Sequence, residues 1–254
     1  MEEWAKVKRH VADEITLLCD QHHREKTAGL LPKEVMRGAN ADPYNLREGV
    51  SKPYNLHFSG KTAEIEIGGN SFTCEDKGYG TVLVPISVDG GPLLGLIMAD
   101  GHLLLNLVIY DEFNAQVLQI KNNQLFYSTE PWDIQLIGTK LTVREAHRKI
   151  LIEIDFQPPH KVVINRGRFL RNGVEILVRP KNILITNTRS VIAGNHAHNC
   201  FGGLIIGHHE NQISGILVLD GIPRYLGDRT EALKFERETM AEINDPKKKD
   251  PTDF

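Results

Sequence analysis

Tight-turn signals recur through residues 57–222, and they restrict what this chain can fold into more than any other feature of the sequence. Each signal combines Gly, Asn, Asp or Pro, which favour sharp reversals of the backbone, and each separates short apolar runs. The signals are Gly68-Gly69-Asn70, Asp89-Gly90-Gly91-Pro92, Asp100-Gly101, Lys121-Asn122-Asn123, Gln157-Pro158-Pro159, Arg171-Asn172-Gly173 and Gly202-Gly203. Many short strands with few helical windows between them predict an all-β domain with one core.

Several runs between these turns have the alternation of a β-strand. Residues 63–67 read Ala-Glu-Ile-Glu-Ile, and residues 174–178 read Val-Glu-Ile-Leu-Val. An apolar residue at every second position places one face of a strand in a core. Asp100-Gly101 lies between two leucine-rich runs and is the clearest hairpin signal in the chain.

The longer rhythm of this domain leaves its architecture open. Polar turns followed by short apolar strands recur at roughly 15 to 25 residues, a spacing that suits a β-solenoid. An antiparallel sandwich or a meander of hairpins explains the same pattern. The sequence therefore predicts a mainly β fold that is either β-solenoid-like or a sandwich or meander.

A second feature lies near the N-terminus, where the apolar run Ile15–Leu18 leads into Cys19, His22 and His23. A thiolate and an imidazole three positions apart on a tight turn can share one zinc ion, while the adjacent imidazole points elsewhere. This run resembles the last third of the HNH endonuclease motif. In that family a strand leads into a zinc-binding turn and then into a helix with a metal-binding His.

The resemblance covers roughly the first 30 residues and implies a role for three side chains. Cys19 and His22 would be two ligands of a structural zinc ion. His23 would be the catalytic residue that holds a divalent metal ion. The resemblance also implies DNA as a partner.

This sequence departs from the HNH pattern at the positions that catalysis needs. Glu14 stands five positions before Cys19, where the family usually has an Asn that orients the general base. The printed sequence contains no Cys-x-x-Cys to supply the other two zinc ligands. A general-base His is expected before this run, and the spacing of His10 does not match it. We therefore expect a truncated or degenerate HNH-like protein without cleavage activity.

A second candidate metal site lies near the end of the predicted β domain. On a strand, alternate residues share one face, so His196, His198 and Cys200 would project together. A neighbouring strand would bring His208 or His209 close enough to complete a zinc site. The alternative is a polar, histidine-rich loop that binds no metal.

The chain divides into four predicted segments. Residues 1–40 form a small α+β HNH-like fragment, and residues 41–56 form an extended linker with a repeated Pro-Tyr-Asn-Leu unit. Residues 57–222 form the all-β domain. Residues 223–254 form a C-terminal helix and a charged tail.

Composition limits the environment and the partners. The net charge of −3 creates no overall field that would attract nucleic acid, so any contact with DNA must be local. Three widely spaced cysteines argue against a disulfide framework and suit a reducing cytoplasm. No apolar run approaches the length of about 20 residues that spans a bilayer, so no membrane partner is expected.

Three functional hypotheses follow from the sequence. The first is an HNH-like nuclease relative without cleavage activity, whose β domain serves recognition or assembly. The second is a β-rich binding or structural module with no catalysis. The third is a metal-dependent enzyme that uses His196, His198 and Cys200.

Overall fold

The computed structural model describes residues 18, 20–49, 54–78, 80–128, 133–207 and 215–225. The chain forms two compact units, residues 1–52 and residues 53–254. The division between them falls inside the segment that the sequence predicts as a linker. Within the described ranges, no helix combines the length and the apolar character needed to cross a bilayer.

The described part of the N-terminal unit contains three helices. They are α1 (Asp20–Thr27), α2 (Lys33–Ala41) and α3 (Tyr44–Glu48). Helix α2 has Pro32 as its N-cap, and it buries Met36. The strand predicted at Ile15–Leu18 lies outside the described residues apart from Leu18.

Helix α3 corrects the prediction of an extended linker in this region. Pro43 precedes its first turn, where a fixed φ and a missing N–H suit a helix start. Gly49 follows its last turn with φ +69, a left-handed conformation that commonly ends helices. Proline and glycine therefore delimit a short helix here, although the same residues also occur in extended linkers.

The larger unit contains two β-sheets, whose strands are numbered in chain order. The first sheet has eight described strands in the order β1-β8-β7-β6-β5-β4-β17-β18. Their bounds are β1 Tyr54–Asn55, β4 Thr81–Val88, β5 Gly91–Ala99, β6 His102–Tyr110, β7 Gln116–Lys121, β8 Gln124–Tyr127, β17 Gly202–Ile206 and β18 Leu217–Leu219.

The second sheet has ten described strands, seven of them in the order β15-β14-β13-β12-β11-β10-β9. Strand β2 pairs with both β12 and β3, and β3 also pairs with β16. Their bounds are β2 Thr62–Ile67, β3 Asn70–Glu75, β9 Asp133–Ile137, β10 Lys140–Ala146, β11 Lys149–Gln157, β12 Lys161–Arg171, β13 Val174–Arg179, β14 Asn182–Ile185, β15 Ser190–Ile192 and β16 His196–Ala197.

The pairing of neighbours decides between the two predicted architectures. Strands β4 to β8 pair antiparallel in chain order, and so do strands β9 to β15. The coils of a parallel β-helix would pair parallel at the repeat spacing instead. The prediction of a mainly β fold is confirmed. Of the predicted architectures, the meander matches this strand pairing and the β-solenoid does not.

Most predicted turns lie where the sequence places them. Both central residues have positive φ at Asp89-Gly90, Asp100-Gly101, Asn122-Asn123 and Asn172-Gly173. Such two-residue turns match the twist of the strands they join. Gly202-Gly203 is the exception, because it lies within β17. A Cβ on Gly203 would approach the Pro85 carbonyl oxygen to 2.5 Å, so glycine is needed here for close packing of the backbone.

Both sheets contribute to one apolar core. Ile65 and Phe169 from the second sheet join Leu96 and Leu105 from the first, and each is at most 1% exposed. The alternation predicted for residues 63–67 is confirmed, since β2 buries every second side chain. The C-terminal helix and tail predicted for residues 223–254 lie outside the described residues beyond residue 225.

The turn between β2 and β3 gives a test of this packing. Gly68 has φ +52, and a Cβ there would lie 2.8 Å from the Arg179 carbonyl oxygen. We expect Gly68→Ala to lower the free energy of unfolding by about 3 kcal/mol or more, because strain and overlap add. Gly101 is the matched control, with φ +74 and nothing within 4 Å of its Cβ position. Gly101→Ala should cost about 1 kcal/mol in urea denaturation, and equal losses would contradict the packing argument.

An ion pair between β2 and β12 predicts a pH effect. Lys161 Nζ lies 2.8 Å from Glu64 and 2.9 Å from Glu66, and the hydrogen bonds to these carboxylates raise the pKa of Lys161. Because folding raises this pKa, the stabilisation is fully present below about pH 10.4 and is lost as the pH rises through the folded value. Lys161→Met should therefore cost about 1 kcal/mol at neutral pH, and less in strong alkali. If the difference in the free energy of unfolding between Lys161→Met and wild type stayed constant as the pH rose, the linkage would be contradicted. Lys140→Met, at an exposed lysine, is the control.

Candidate functional site

The two N-terminal histidines lie on helix α1. His22 and His23 are both exposed. Consecutive helical residues project about 100° apart, so the two rings suit separate ligands. His22 is therefore helical, where the sequence predicted a tight turn, and Cys19 lies outside the described residues. The assignment of these three residues to metal ions stays a prediction.

His196 and His198 lie beside strand β3, as a result of the parallel pairing of β16 with β3. His196 Nδ1 lies 2.8 Å from Ser71 Oγ, and His198 Nδ1 lies 3.2 Å from Thr73 Oγ1. Each imidazole thus has a hydroxyl neighbour on the adjacent strand. Both histidines contact residues of β3, and each has a polar contact without a metal.

Cys200 has a different environment from the two histidines. Asn199 adopts φ +52, which interrupts the alternation of the strand before Cys200. The Cys200 side chain packs against the apolar core, and its N–H donates to the Thr73 carbonyl at 3.1 Å. Burial raises the pKa of the Cys200 thiol, and a protonated thiol is a poor metal ligand.

No metal site is formed by the side chains in the described ranges. Among those residues, no group of three or more His, Cys, Asp or Glu side chains has an arrangement that would hold an ion. His208 and His209, the predicted remaining ligands, lie outside the described residues. The metal role of His196, His198 and Cys200 therefore stays a prediction.

A basic cavity on the β unit is a feature that the sequence did not predict. We call it the arginine groove, and its volume is about 810 Å³, within the range of ligand sites. It lies along β12 and β13, beside the β10–β11 turn and the loop after β6. Its lining residues are Asp111, Glu112, Phe113, Glu145, Arg148, Lys149, Ile150, Arg166, Gly167, Arg168, Leu170, Leu177, Val178 and Arg179.

The lining of the arginine groove is positively charged. Five of its residues are Arg or Lys and three are Asp or Glu, in a chain whose net charge is −3. Arg166 and Arg168 stand two positions apart on β12 and so lie on one face of the strand. The groove therefore concentrates positive potential on one surface of an otherwise slightly acidic protein.

The basic side chains of the groove are of two kinds. Arg168 Nε lies 2.9 Å from a carboxylate oxygen of Glu175, which is only 1% exposed. Their ionic attraction holds the Arg168 guanidinium against the sheet. Arg148, Lys149 and Arg166 are exposed, and within the described residues their side chains have no hydrogen bond or ion pair. These three are free to bind an anion.

The loop that borders the groove is held by its own polar residues. Asp111 Oδ1 accepts the N–H groups of Phe113 at 2.9 Å and Ala115 at 2.8 Å. Asn114 accepts the Asn172 N–H at 2.8 Å and donates to the Asn172 side chain at 3.2 Å. Phe113 is nonetheless 82% exposed. An ordered loop therefore presents a bare aromatic ring at the edge of the groove.

Asn172 connects this loop to a further ion pair. Its side chain donates to Asp89 Oδ2 at 2.8 Å. Arg224 binds both oxygens of Asp89, at 2.7 and 3.1 Å, and also donates to the Asn172 carbonyl. Bidentate arginine pairs of this kind are geometrically specific. The turns after β4 and β12 and the loop after β6 are thus tied together at one end of the unit.

Comparisons with known proteins add no assignment. No protein-family model matches the chain, and neither a curated protein nor a solved structure matches it. The HNH resemblance therefore rests on the short run near His22 and His23.

The bonds of Asn114 predict a local dynamic effect. Asn114→Ala removes the acceptor of the Asn172 N–H, so we expect hydrogen exchange to quicken across residues 111–115 and at Asn172. A loss of about 1 kcal/mol corresponds to about fivefold faster exchange, measurable by mass spectrometry. The control Gln157→Ala removes an exposed side-chain bond to Asp155 elsewhere in the unit. Unchanged exchange in Asn114→Ala would show that these bonds do not hold the loop.

Proposed function

We propose that this chain is an HNH-endonuclease-like protein that does not cleave DNA, and that its β unit is a binding module. The supporting observation is helix α1, which begins directly after Cys19 and carries His22 and His23. A helix that carries a metal-binding His after the zinc-binding turn is what the resemblance to HNH endonucleases expects. Arg24 and Lys26 in the last turn add local positive charge that suits a phosphate backbone.

The lack of cleavage follows from the side chains that catalysis needs. A positioned general base contributes about 10²- to 10⁴-fold to a hydrolytic rate. Glu14 replaces the Asn that orients this base in the family, and His10 does not stand at the spacing of the base itself.

A second candidate function is a binding module without any HNH-like role, and the arginine groove favours it. The groove combines ligand-sized volume, free cations and an exposed aromatic ring, none of which depends on the N-terminal unit. The third candidate is a metal-dependent enzyme that uses His196, His198 and Cys200. The hydroxyl neighbours of the histidines and the raised pKa of the thiol make it the least supported of the three.

Metal content and plasmid nicking together test the proposal. We expect zinc in the purified chain that is lost in Cys19→Ala and retained in Cys200→Ala, measured by inductively coupled plasma mass spectrometry. We also expect no nicking of supercoiled plasmid in Mg²⁺ or Mn²⁺ beyond that of His23→Ala, because Glu14 stands at the position of the base-orienting Asn and His10 does not match the spacing of the base. The thermal unfolding of each variant serves as the folding control.

Each other result selects another function. Metal-dependent nicking that disappears in His23→Ala would refute the absence of cleavage. Zinc that is lost only in Cys200→Ala would favour the metal-dependent enzyme. A wild-type chain without zinc would remove the HNH-like role and leave the binding module.

A further inference from the structure

We propose that the arginine groove binds single-stranded nucleic acid, with phosphates on its cations and a base stacked on Phe113. The inference rests on the proposed role of the β unit as a binding module and names the ligand class of that module. Basic grooves with an aromatic platform are the arrangement by which proteins hold single strands without reading sequence. All the described residues that line the groove belong to the β unit.

The arginine groove contains cations that no carboxylate in the described ranges neutralises. Arg148, Lys149 and Arg166 are exposed and have no side-chain partner among the described residues. Arg168 and Arg179 line the same cavity. Guanidinium groups bind phosphate oxygens through two parallel hydrogen bonds, so a row of arginines suits a phosphodiester backbone.

Three carboxylates line the same cavity. The Asp111 Oδ1 atom already accepts two backbone N–H groups of its loop. Glu112 also has an interaction. Glu145 is the exception and shares the lining with the exposed cations Arg148, Lys149 and Arg166. With five basic and three acidic residues, the lining keeps a net positive charge.

Phe113 lies at the edge of the groove. Its ring is 82% exposed on a loop that hydrogen bonds hold at Asp111 and Asn114. An ordered loop presents the ring without a further loss of conformational entropy on binding. Stacking on such a ring requires an unpaired base, because bases in a duplex already stack on each other. The ring therefore selects a single strand over a duplex.

Binding of a labelled oligothymidylate tests the proposal directly. The full chain is titrated into a fluorescein-labelled strand of about 12 nucleotides, and anisotropy is followed at increasing NaCl. We expect saturable binding that weakens with salt. Alanine at Arg148, Lys149 and Arg166 together should weaken binding at least about tenfold and reduce the slope of log K against log salt by about 2.

The aromatic contribution has a separate signature. Phe113→Ala should weaken binding about fivefold or more while leaving the salt slope unchanged, because stacking releases no counterions. If Phe113→Ala instead reduced the slope of log K against log salt, Phe113 would act through the charged residues. Tight binding of heparin with no effect of Phe113→Ala would identify the groove as a site for any polyanion and overturn the nucleic-acid assignment.

Two matched controls separate this inference from other effects. Alanine at Lys61, Lys77 and Lys121 makes the same change of charge outside the groove and should alter affinity by less than about twofold. Alanine at Arg148, Lys149 and Arg166 should leave the zinc content of the chain unchanged, so a failed HNH-like role and a failed groove are distinguishable. The single variant Arg166→Gln serves if the triple variant does not fold.

Three results would overturn the proposal. The first is the absence of saturable binding to the oligothymidylate by the wild type. The second is equal or tighter binding of a duplex of the same length. The third is an affinity that the groove variants and the control variants change to the same extent.

Discussion

The register of the hairpins, fixed by left-handed backbone at two-residue turns, is the constraint on which the rest of the β unit depends. Side chains alternate along a strand, so a slip of one residue would exchange the two faces of the sheet. At β12 such a slip would bring Phe169 to the surface and Arg168 into the core. The turn at Asn172-Gly173 prevents it, since both residues have positive φ and Asn172 is bound to Asp89. The charged face of the groove is thus a consequence of turn geometry.

Local features of the fold were predictable because turn chemistry is encoded in adjacent residues. Asp100-Gly101 specifies its hairpin without reference to any distant residue. The parallel pairings of β2 with β12 and of β4 with β17 join strands far apart in the chain, and no spacing in the sequence announces them. Gly203 illustrates the difference, because its glycine is required by Pro85, a distant neighbour in sequence.

The candidate sites divide in the same way. The histidines of α1 form a short linear motif, so the sequence alone suggested their role. Alternation predicted that His196 and His198 share a face, whereas Ser71 and Thr73, which contact them, come from a strand much earlier in the chain. The cations of the groove come from the β10–β11 turn and from strands β11, β12 and β13. The one local signal of the groove was the spacing of Arg166 and Arg168 at alternate positions. By itself this spacing is equally typical of an ordinary exposed strand.

The pairing of β2 with β12 also bears on how the chain reaches its native state. The β2–β3 hairpin is local and can close early, whereas its partner strand is synthesised much later. Until then the free edge of β2 has unpaired backbone groups and alternating apolar residues, the features that promote pairing between different molecules. Glu64 and Glu66 lie on this strand and become partners of Lys161 only in the folded unit. Before β12 pairs with β2, the negative charges of these two carboxylates oppose aggregation of the β2–β3 hairpin.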